Sequence, residues 1–353
     1  MNKKKKELNR QCVIDLRKRF VSDLNLPIQV LQSPYFEDRI AQLEDMFQAK
    51  TKYNNLLGVI KERFNDNPDL FLKEYYNVRE NIIQTLLKNE AYIEFNQSNE
   101  LLSKFAIKNR QFPKKNPYTE DMVGKIMLSI DLSKANFQAL NYVNREILLN
   151  SDTYADFIHK FTDLEYIVES KYTRQVVFGK LNPSRQITVE KYIMSLIYDK
   201  LSEDKDINDN MTLICLNSDE LIYVVKDESV VSQGIKDKII SLVKENIGVD
   251  IKAEFFNITP IKFKQGNNAT LTIFKRHNLL DGKDKLMCAP MTYFPQIICL
   301  LNGEKILDTH LVFYYEHNLA KFLKPLRLET ELDIEKSSKF KKFLKRFGFL
   351  KNM

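Results

Sequence analysis

Glycine is scarce in this chain and nowhere clustered, and this excludes several large classes of fold. Only nine of the 353 residues are glycine, and all nine are isolated in the sequence. A P-loop or a GxGxxG dinucleotide turn needs grouped glycines, because backbone N–H groups must approach the phosphates closely. P-loop NTPases, Rossmann dehydrogenases and protein kinases are therefore excluded. Any phosphate chemistry in this chain must use side-chain cations and metals.

The charge balance favours a polyanionic partner. Lys and Arg number 54 against 47 acidic residues, which gives a formal net charge of +7. No CxxC spacing occurs, so neither a zinc site nor a disulfide framework is indicated. The N-terminus lacks an apolar signal-peptide core, and no run of about 18 apolar residues is present. We expect an intracellular, cytoplasmic protein without a transmembrane segment.

Apolar spacing divides the chain into three parts. Residues 1–110 carry apolar side chains at three- and four-residue steps, which predicts a helical N-terminal region. A linker with two prolines follows at 111–118. Residues 120–264 read as β-α-α-α-β-β-α-β, in which the three successive helices are predicted over 135–149, about 154–178 and 187–201. Residues 265–353 read as a small C-terminal α/β module with a basic tail. The predicted fold class is α+β, with a palm-like antiparallel sheet and helices at its centre.

The tail at 336–351 is both basic and amphipathic. Its aromatic and leucine side chains share one helical face, and lysines and an arginine occupy the rest. Such a segment could lie on an anionic membrane, contact phosphate backbones, or dock on this protein or a partner. We favour contact with nucleic acid.

The segment Met211–Val225 predicts a hairpin with an acidic tip. Two apolar, β-branched runs flank Asn217-Ser218-Asp219-Glu220. Adjacent carboxylates at a rigid turn can bind Mg²⁺ or Mn²⁺, because hard cations prefer carboxylate oxygens and substrate phosphates. The alternative is an ordinary hairpin whose turn is polar because turns are polar.

A second acid, Asp131, ends an apolar strand just before a predicted helix. A carboxylate in that place is costly to bury without a partner. It could cap the helix, since Asp is a favoured N-cap. It could equally lie beside the hairpin tip and share a metal with Asp219.

A basic helix is predicted between the two acids. Lys171, Arg174 and Phe178 fall near one face, which suits a triphosphate and a stacked base. The alternative is a solvated face with one core phenylalanine, and a glycine that only ends the helix. The candidate nucleotide-binding residues of this segment are Lys171, Arg174, Phe178, Gly179, Lys180 and Arg185.

Together these segments resemble motifs A, B and C of palm-domain nucleic-acid polymerases. Asp131-Leu-Ser-Lys-Ala-Asn-Phe, Arg174-x-x-x-Phe178-Gly179 and Ser218-Asp219-Glu220 are most similar to family A DNA polymerases. The chain departs from that family: Ser218 replaces a histidine, and Phe178 occupies the position of the motif B lysine. The interval between motifs B and C is closer to that of reverse transcriptases, and the hairpin also resembles that of tRNA-His guanylyltransferases.

The resemblance implies nucleotidyl transfer to a nucleic-acid 3′ end. Asp131 and Asp219 would hold Mg²⁺ or Mn²⁺, and Glu220 would support them as a third catalytic acid. Partners would be DNA or RNA, nucleoside triphosphates, and other replication or transcription proteins. The alternative is a catalytically inactive palm-like protein that binds nucleic acid or acts in assembly. The Lys-, Asn- and Ile-rich composition is typical of an AT-rich genome and fits a viral or phage source, with a virion or host-cytoplasm location.

The four histidines offer no support for a hydrolase. They are scattered through the sequence, and none pairs with a nearby Cys or Ser in a catalytic pattern. We expect each of them to be structural or exposed.

Overall fold

The structure, a computed structural model, describes residues 2–108, 110–266 and 269–329, with side chains from residue 10 onward. The predicted basic tail at 336–351 lies outside the described residues. Within them the chain is α+β, as the sequence predicts. Helices and an antiparallel sheet alternate through the centre, and helices alone form the N-terminal part.

The N-terminal region is helical, which confirms the prediction for this part of the described chain. The helices are α1 (Asn2–Asp23), α2 (Tyr35–Gln42), α3 (Glu44–Phe47), α4 (Ala49–Phe64), α5 (Pro68–Leu87), α6 (Glu90–Gln97) and α7 (Asn99–Ser103). The start of α5 follows from its sequence: Asn67 caps the helix by accepting from Asp69 N, and Pro68 occupies the first turn. Its apolar stripe is then buried against the other helices.

The central part contains four strands and the helices between them. These elements are β1 (Met127–Leu132), α8 (Ala135–Val143), α9 (Tyr154–His159), α10 (Glu165–Glu169), α11 (Lys171–Gly179), α12 (Pro183–Glu203), α13 (Lys205–Asn208), β2 (Met211–Leu216), β3 (Glu220–Val225), α14 (Gln233–Ile247) and β4 (Ile251–Gln265). The single helix predicted over 154–178 is instead three short ones. One break has a clear cause, because Ser170 accepts from Thr173 N and so begins α11 as a new helix.

The four central strands form an antiparallel sheet in the order β2-β3-β1-β4. Strand β1 therefore lies between the second strand of the hairpin and the strand that follows α14. This is the split βαβ arrangement of β-α-β-β-α-β folds. The two acid-bearing segments of the sequence, β1 and the β2–β3 hairpin, consequently become neighbours.

The two faces of this sheet differ. Leu128, Ile130 and Leu132 of β1 point into the main core with α8, α12 and α14. Met127, Ser129 and Asp131 alternate with them and lie on the opposite face. That face carries a smaller apolar cluster around Met127, Phe256 and Phe274. Asp131 thus lies on the face of the sheet away from these helices.

The C-terminal part extends the same sheet. It contains β5 (Ala269–Asn278), β6 (Asp284–Met287), α15 (Phe294–Leu301), β7 (Val312–Tyr315), β8 (Asn318–Lys321) and β9 (Leu326–Leu328). β5 pairs with β4, β6 with β5, and β9 with β4, while β7 and β8 form a separate pair. The sheet therefore continues through the predicted boundary at 264/265.

The core also continues across the predicted boundary between residues 110 and 120. The hydroxyl of Tyr75 in α5 donates a hydrogen bond to Asp23 Oδ1 (2.7 Å). It also lies within hydrogen-bond distance of Thr173 Oγ1 (2.6 Å). The predicted linker at 111–118 runs along β2, where Lys115 N donates to Ile214 O (2.9 Å). The division into 1–110, 120–264 and 265–353 stays a prediction.

Candidate active site

Three acidic residues lie where β1 approaches the hairpin tip. Asp131 is the direct cross-strand partner of Glu220, and Leu132 N donates to Asp219 O (2.8 Å). Burial, and then the neighbouring charges of Asp219 and Glu220, raise the pKa of Asp131 to about 6. Helix α8 is preceded by Lys134 and has no side-chain cap, so Asp131 is not its N-cap. Asp131 therefore lies close enough to both hairpin acids for their charges to act on it.

Glu220 is held by protein groups. Ser129 Oγ donates to Glu220 Oε1 (2.6 Å), and Arg276 Nη1 lies 3.9 Å from the same oxygen. Arg276 in turn contacts Glu254 (3.1 Å) and receives cation–π support from Phe256. Glu220 shares the face of Asp131 because the two are cross-strand partners. The supporting role that the sequence assigns to Glu220 stays a prediction.

Besides Arg276, three basic side chains lie near the acids, and the sequence pointed to only one of them, Arg174. Lys252 is the β4 partner of Asp131, and Lys134 follows the end of β1. Burial lowers the pKa of both Lys134 and Arg174. None of these three cations makes an ion pair within the described residues. The site therefore combines clustered acids with cations that are available to an anion.

Glu190 of α12 is a fourth acid at this site that the sequence reading missed. Its side chain is buried, accepts from Asn136 Nδ2 (3.0 Å), and has a pKa raised to about 7 by burial and then by Asp219. A signal was present, because Glu190 interrupts the apolar face formed by Val189, Ile193 and Ile197. A charged residue on a buried helical face needs an explanation.

Of the predicted nucleotide-binding residues, Arg174 is the one that interacts electrostatically with an acid of the site. Asp131 is one of the charges that act on the Arg174 guanidinium. Lys171 begins α11, and Lys180 lies just past its end and is exposed. No hydrogen bond or ion pair in the described part of the chain joins either lysine to the three carboxylates.

The structure gives Phe178 and Arg185 contacts other than the predicted ones, and it gives no packing reason for glycine at position 179. Phe178 is only 1% exposed and packs on Tyr154 (6.3 Å between ring centroids), so its ring belongs to the core. A Cβ at Gly179 would meet no atom within 4 Å, so no close approach requires glycine there. Arg185 donates to Phe95 O and to Ser98 O (both 2.9 Å), and so ties α12 to the N-terminal helices.

The donor set at the acids suits a hard cation. Asp131 and Asp219 offer carboxylate oxygens, which Mg²⁺ and Mn²⁺ prefer. Burial, and then the charge of Asp219, raise the pKa of Asp131, and a bound cation would offset both effects. Across the described residues, no three His, Cys, Asp or Glu side chains are already arranged to hold a metal. Asp131 and Asp219 would therefore need substrate phosphates or water to complete a coordination shell.

A second polar cluster pairs His310 with a cysteine that is not its neighbour in a catalytic sequence pattern. Cys299 Sγ lies 3.0 Å from His310 Nδ1, and His310 Nε2 lies 3.2 Å from Asp38 Oδ2. The sequence could not reveal this set, because packing of α2 against α15 brings it together. Burial raises the pKa of Cys299 to about 11, so its thiol stays protonated at neutral pH. The cluster joins two parts of the fold and does not provide an activated nucleophile.

Comparison with known proteins adds no identification. No protein-family model matches the chain, and no curated protein matches its sequence significantly. In the part of the chain that the structure describes, no helix combines the length and apolarity needed to cross a membrane.

Proposed function

We propose that the chain transfers nucleotides to a nucleic-acid 3′ end with the help of divalent cations. The observation that carries the proposal is the meeting of Asp131 with the acidic hairpin tip, beside Lys134, Arg174 and Lys252. Acids next to cations that have no ion pair among the described residues suit a substrate that is itself a metal-bound polyphosphate. The strand order β2-β3-β1-β4 supports the resemblance to palm-domain polymerases, because it makes the motif A and motif C segments adjacent.

The residues have distinct roles in this proposal. Asp131 and Asp219 would hold Mg²⁺ or Mn²⁺, which activates the 3′-hydroxyl and neutralises the triphosphate when bound. Glu220, held by Ser129 and Arg276, places a third carboxyl group beside Asp131. Arg174 and Lys252 bind phosphate oxygens and stabilise the charge that develops during transfer. Little covalent chemistry is required of the protein, since positioning and charge stabilisation do most of the work.

A catalytically inactive nucleic-acid-binding or assembly protein is the second candidate. Two observations favour it: Phe178 is buried where a motif B residue would meet the base, and Ser129 and Arg276 already engage Glu220. Fold alone does not establish activity. The two candidates differ in whether labelled nucleotide becomes attached to nucleic acid.

Primer extension tests the proposal. The wild type is incubated with DNA and RNA hairpins, Mg²⁺ or Mn²⁺ and labelled nucleotides, beside Asp131→Asn, Asp219→Asn and Asp209→Asn. Asp209 is an exposed acid outside the site and serves as the matched control. We expect extension by the wild type and the control, and loss of at least about 100-fold in the two site variants. Absence of extension, with nucleic-acid binding intact, would establish the inactive alternative.

A further inference from the structure

Tyr154 occupies a fixed position at the candidate active site. It is the first residue of α9, which Thr153 and Asp156 cap reciprocally. Its ring makes edge contact with Phe137 (6.1 Å between centroids), and only 2% of the residue is exposed. The packing of α9 against the core therefore determines where the tyrosine hydroxyl lies.

Two of the site's cations lie against this ring. Lys134 Nζ is 5.0 Å from the ring centroid and the Arg174 guanidinium is 5.8 Å from it. Both distances are within the range of cation–π attraction. Tyr154 thus holds together two positive charges that come from different segments, one after β1 and one on α11.

The attraction to the ring leaves much of the charge uncompensated. Lys134 and Arg174 repel each other, and each is partly removed from water. Neither makes an ion pair with an acid in the described residues. An anion bound between them would relieve the repulsion and restore the lost solvation.

The hydroxyl of Tyr154 provides a second, independent observation. Its oxygen is buried and has no hydrogen-bond partner among the described residues. A buried polar atom without a partner is costly, and such atoms are rare in native proteins. A phenol can donate one hydrogen bond, and an ionised acceptor makes the strongest partner.

We propose that Tyr154, Lys134 and Arg174 form a phosphate-binding site in which the Tyr154 hydroxyl donates a hydrogen bond to a phosphate oxygen. The assignment of that phosphate to the polyphosphate of a nucleotide rests on the proposed function. It is favoured because Asp131, a candidate metal ligand, is one of the charges that act on Arg174. In this assignment a metal-bound triphosphate would contact Asp131 and these cations together.

Binding of inorganic tripolyphosphate, measured by calorimetry in the absence of divalent cations, tests the site. The variants are Tyr154→Phe and Tyr223→Phe. Tyr223 is the matched control, since it is also a buried tyrosine with an unpartnered hydroxyl but lies beside Tyr198 on the helix-covered side of β3. We expect Tyr154→Phe to bind about tenfold more weakly, as for loss of a hydrogen bond to a charged group. Tyr223→Phe should bind like the wild type.

Stability measurements on the same variants separate binding from folding. Removing an unpartnered hydroxyl should leave the thermal midpoint of the unliganded Tyr154→Phe variant unchanged or raised, with a smaller increase on addition of tripolyphosphate. Lys134→Gln, which removes a charge and keeps the aliphatic stem, should weaken binding more than Tyr154→Phe. Equal affinity in the wild type and Tyr154→Phe, or no binding by the wild type, would overturn the site.

The source of the phosphate is distinguished by a second ligand, a 12-nucleotide single strand of DNA. If Tyr154→Phe weakens binding of the single strand and not of tripolyphosphate, the assignment to a nucleotide polyphosphate is wrong. Primer extension is a separate readout. Tyr154-dependent tripolyphosphate binding in a protein that extends no primer would support this site and contradict the proposed function.

Discussion

Asp131 lies directly opposite Glu220 across the β1–β3 strand pair, on the face of the sheet that α8, α12 and α14 leave uncovered. Like charges placed directly opposite each other are destabilising in a sheet. The crowding is maintained by the backbone, since Leu132 N donates to Asp219 O and fixes the end of β1 to the hairpin tip. Electrostatic strain at this point is therefore a property of the fold and can be measured.

Asp131→Asn is expected to stabilise the protein when no divalent cation is present. The pKa of Asp131 is raised to about 6, so folding favours its neutral form and becomes less favourable as the carboxyl ionises. The gain in free energy of unfolding should be small at pH 4 and grow up to about pH 6. It should then level off at roughly 1–2 kcal/mol, because solvent screens the charge of a carboxyl group that is partly exposed. Urea unfolding in EDTA at several pH values measures it. A gain that is independent of pH would contradict this origin.

Glu190→Gln should also raise the free energy of unfolding, but the gain should develop over a higher pH range. The amide keeps an oxygen that can accept from Asn136 and removes the charge beside Asp219. Because the pKa of Glu190 is raised to about 7, the stability gain over the wild type should continue to grow between pH 5 and pH 7. Glu203→Gln, an exposed change near the end of the same helix, is the control. If the difference in free energy of unfolding between the wild type and the variant is already complete at pH 5, the pKa of Glu190 is not raised by the fold.

Arg185→Ala should reduce stability and leave polyphosphate binding unchanged. The guanidinium donates to two backbone carbonyls and to Asn99 Oδ1 (2.7 Å), so its loss leaves those acceptors without this partner. We expect a loss of about 1–3 kcal/mol in free energy of unfolding. Lys180→Ala, an exposed neighbour, should cost less than about 0.5 kcal/mol. A fall in tripolyphosphate affinity caused by Arg185→Ala would instead restore its predicted role as a nucleotide contact.

Asp23→Ala should weaken the attachment of the N-terminal helices to the centre of the fold. The buried Asp23 carboxylate pairs with Arg19 and accepts from Tyr75, Tyr166 and Ser170. Its removal leaves a buried arginine without a counter-charge, which costs about 3–5 kcal/mol. Asp69→Ala breaks only an exposed pair with Lys73 and should cost less than about 1 kcal/mol. Denaturant titration measures the free energy of unfolding of both variants. Equal losses for Asp23→Ala and Asp69→Ala would contradict a role for Asp23 in attaching the N-terminal helices.

The sequence predicted the elements of the site better than its surroundings. Asp131, the hairpin and Arg174 could be found because strand alternation and turn composition are local signals. Lys252 could not, since its place opposite Asp131 depends on the register of β4. The single helix predicted over 154–178 was wrong, because the cap at Ser170 outweighed the apolar periodicity. The motif position of Phe178 predicted that its ring contacts a nucleotide base. The same helical spacing equally fits a core residue, and the ring is buried.

Direct binding of Mn²⁺, followed by electron paramagnetic resonance, tests the central claim most directly. The proteins are the wild type, Asp131→Asn, Asp219→Asn and the exposed control Asp209→Asn, each titrated with Mn²⁺ at pH 7.5 with and without a nucleoside triphosphate. We expect saturable binding in the wild type and the control, tighter with the triphosphate, and loss of that binding in both site variants. Identical titrations for all four proteins would contradict a divalent-cation site at Asp131 and Asp219.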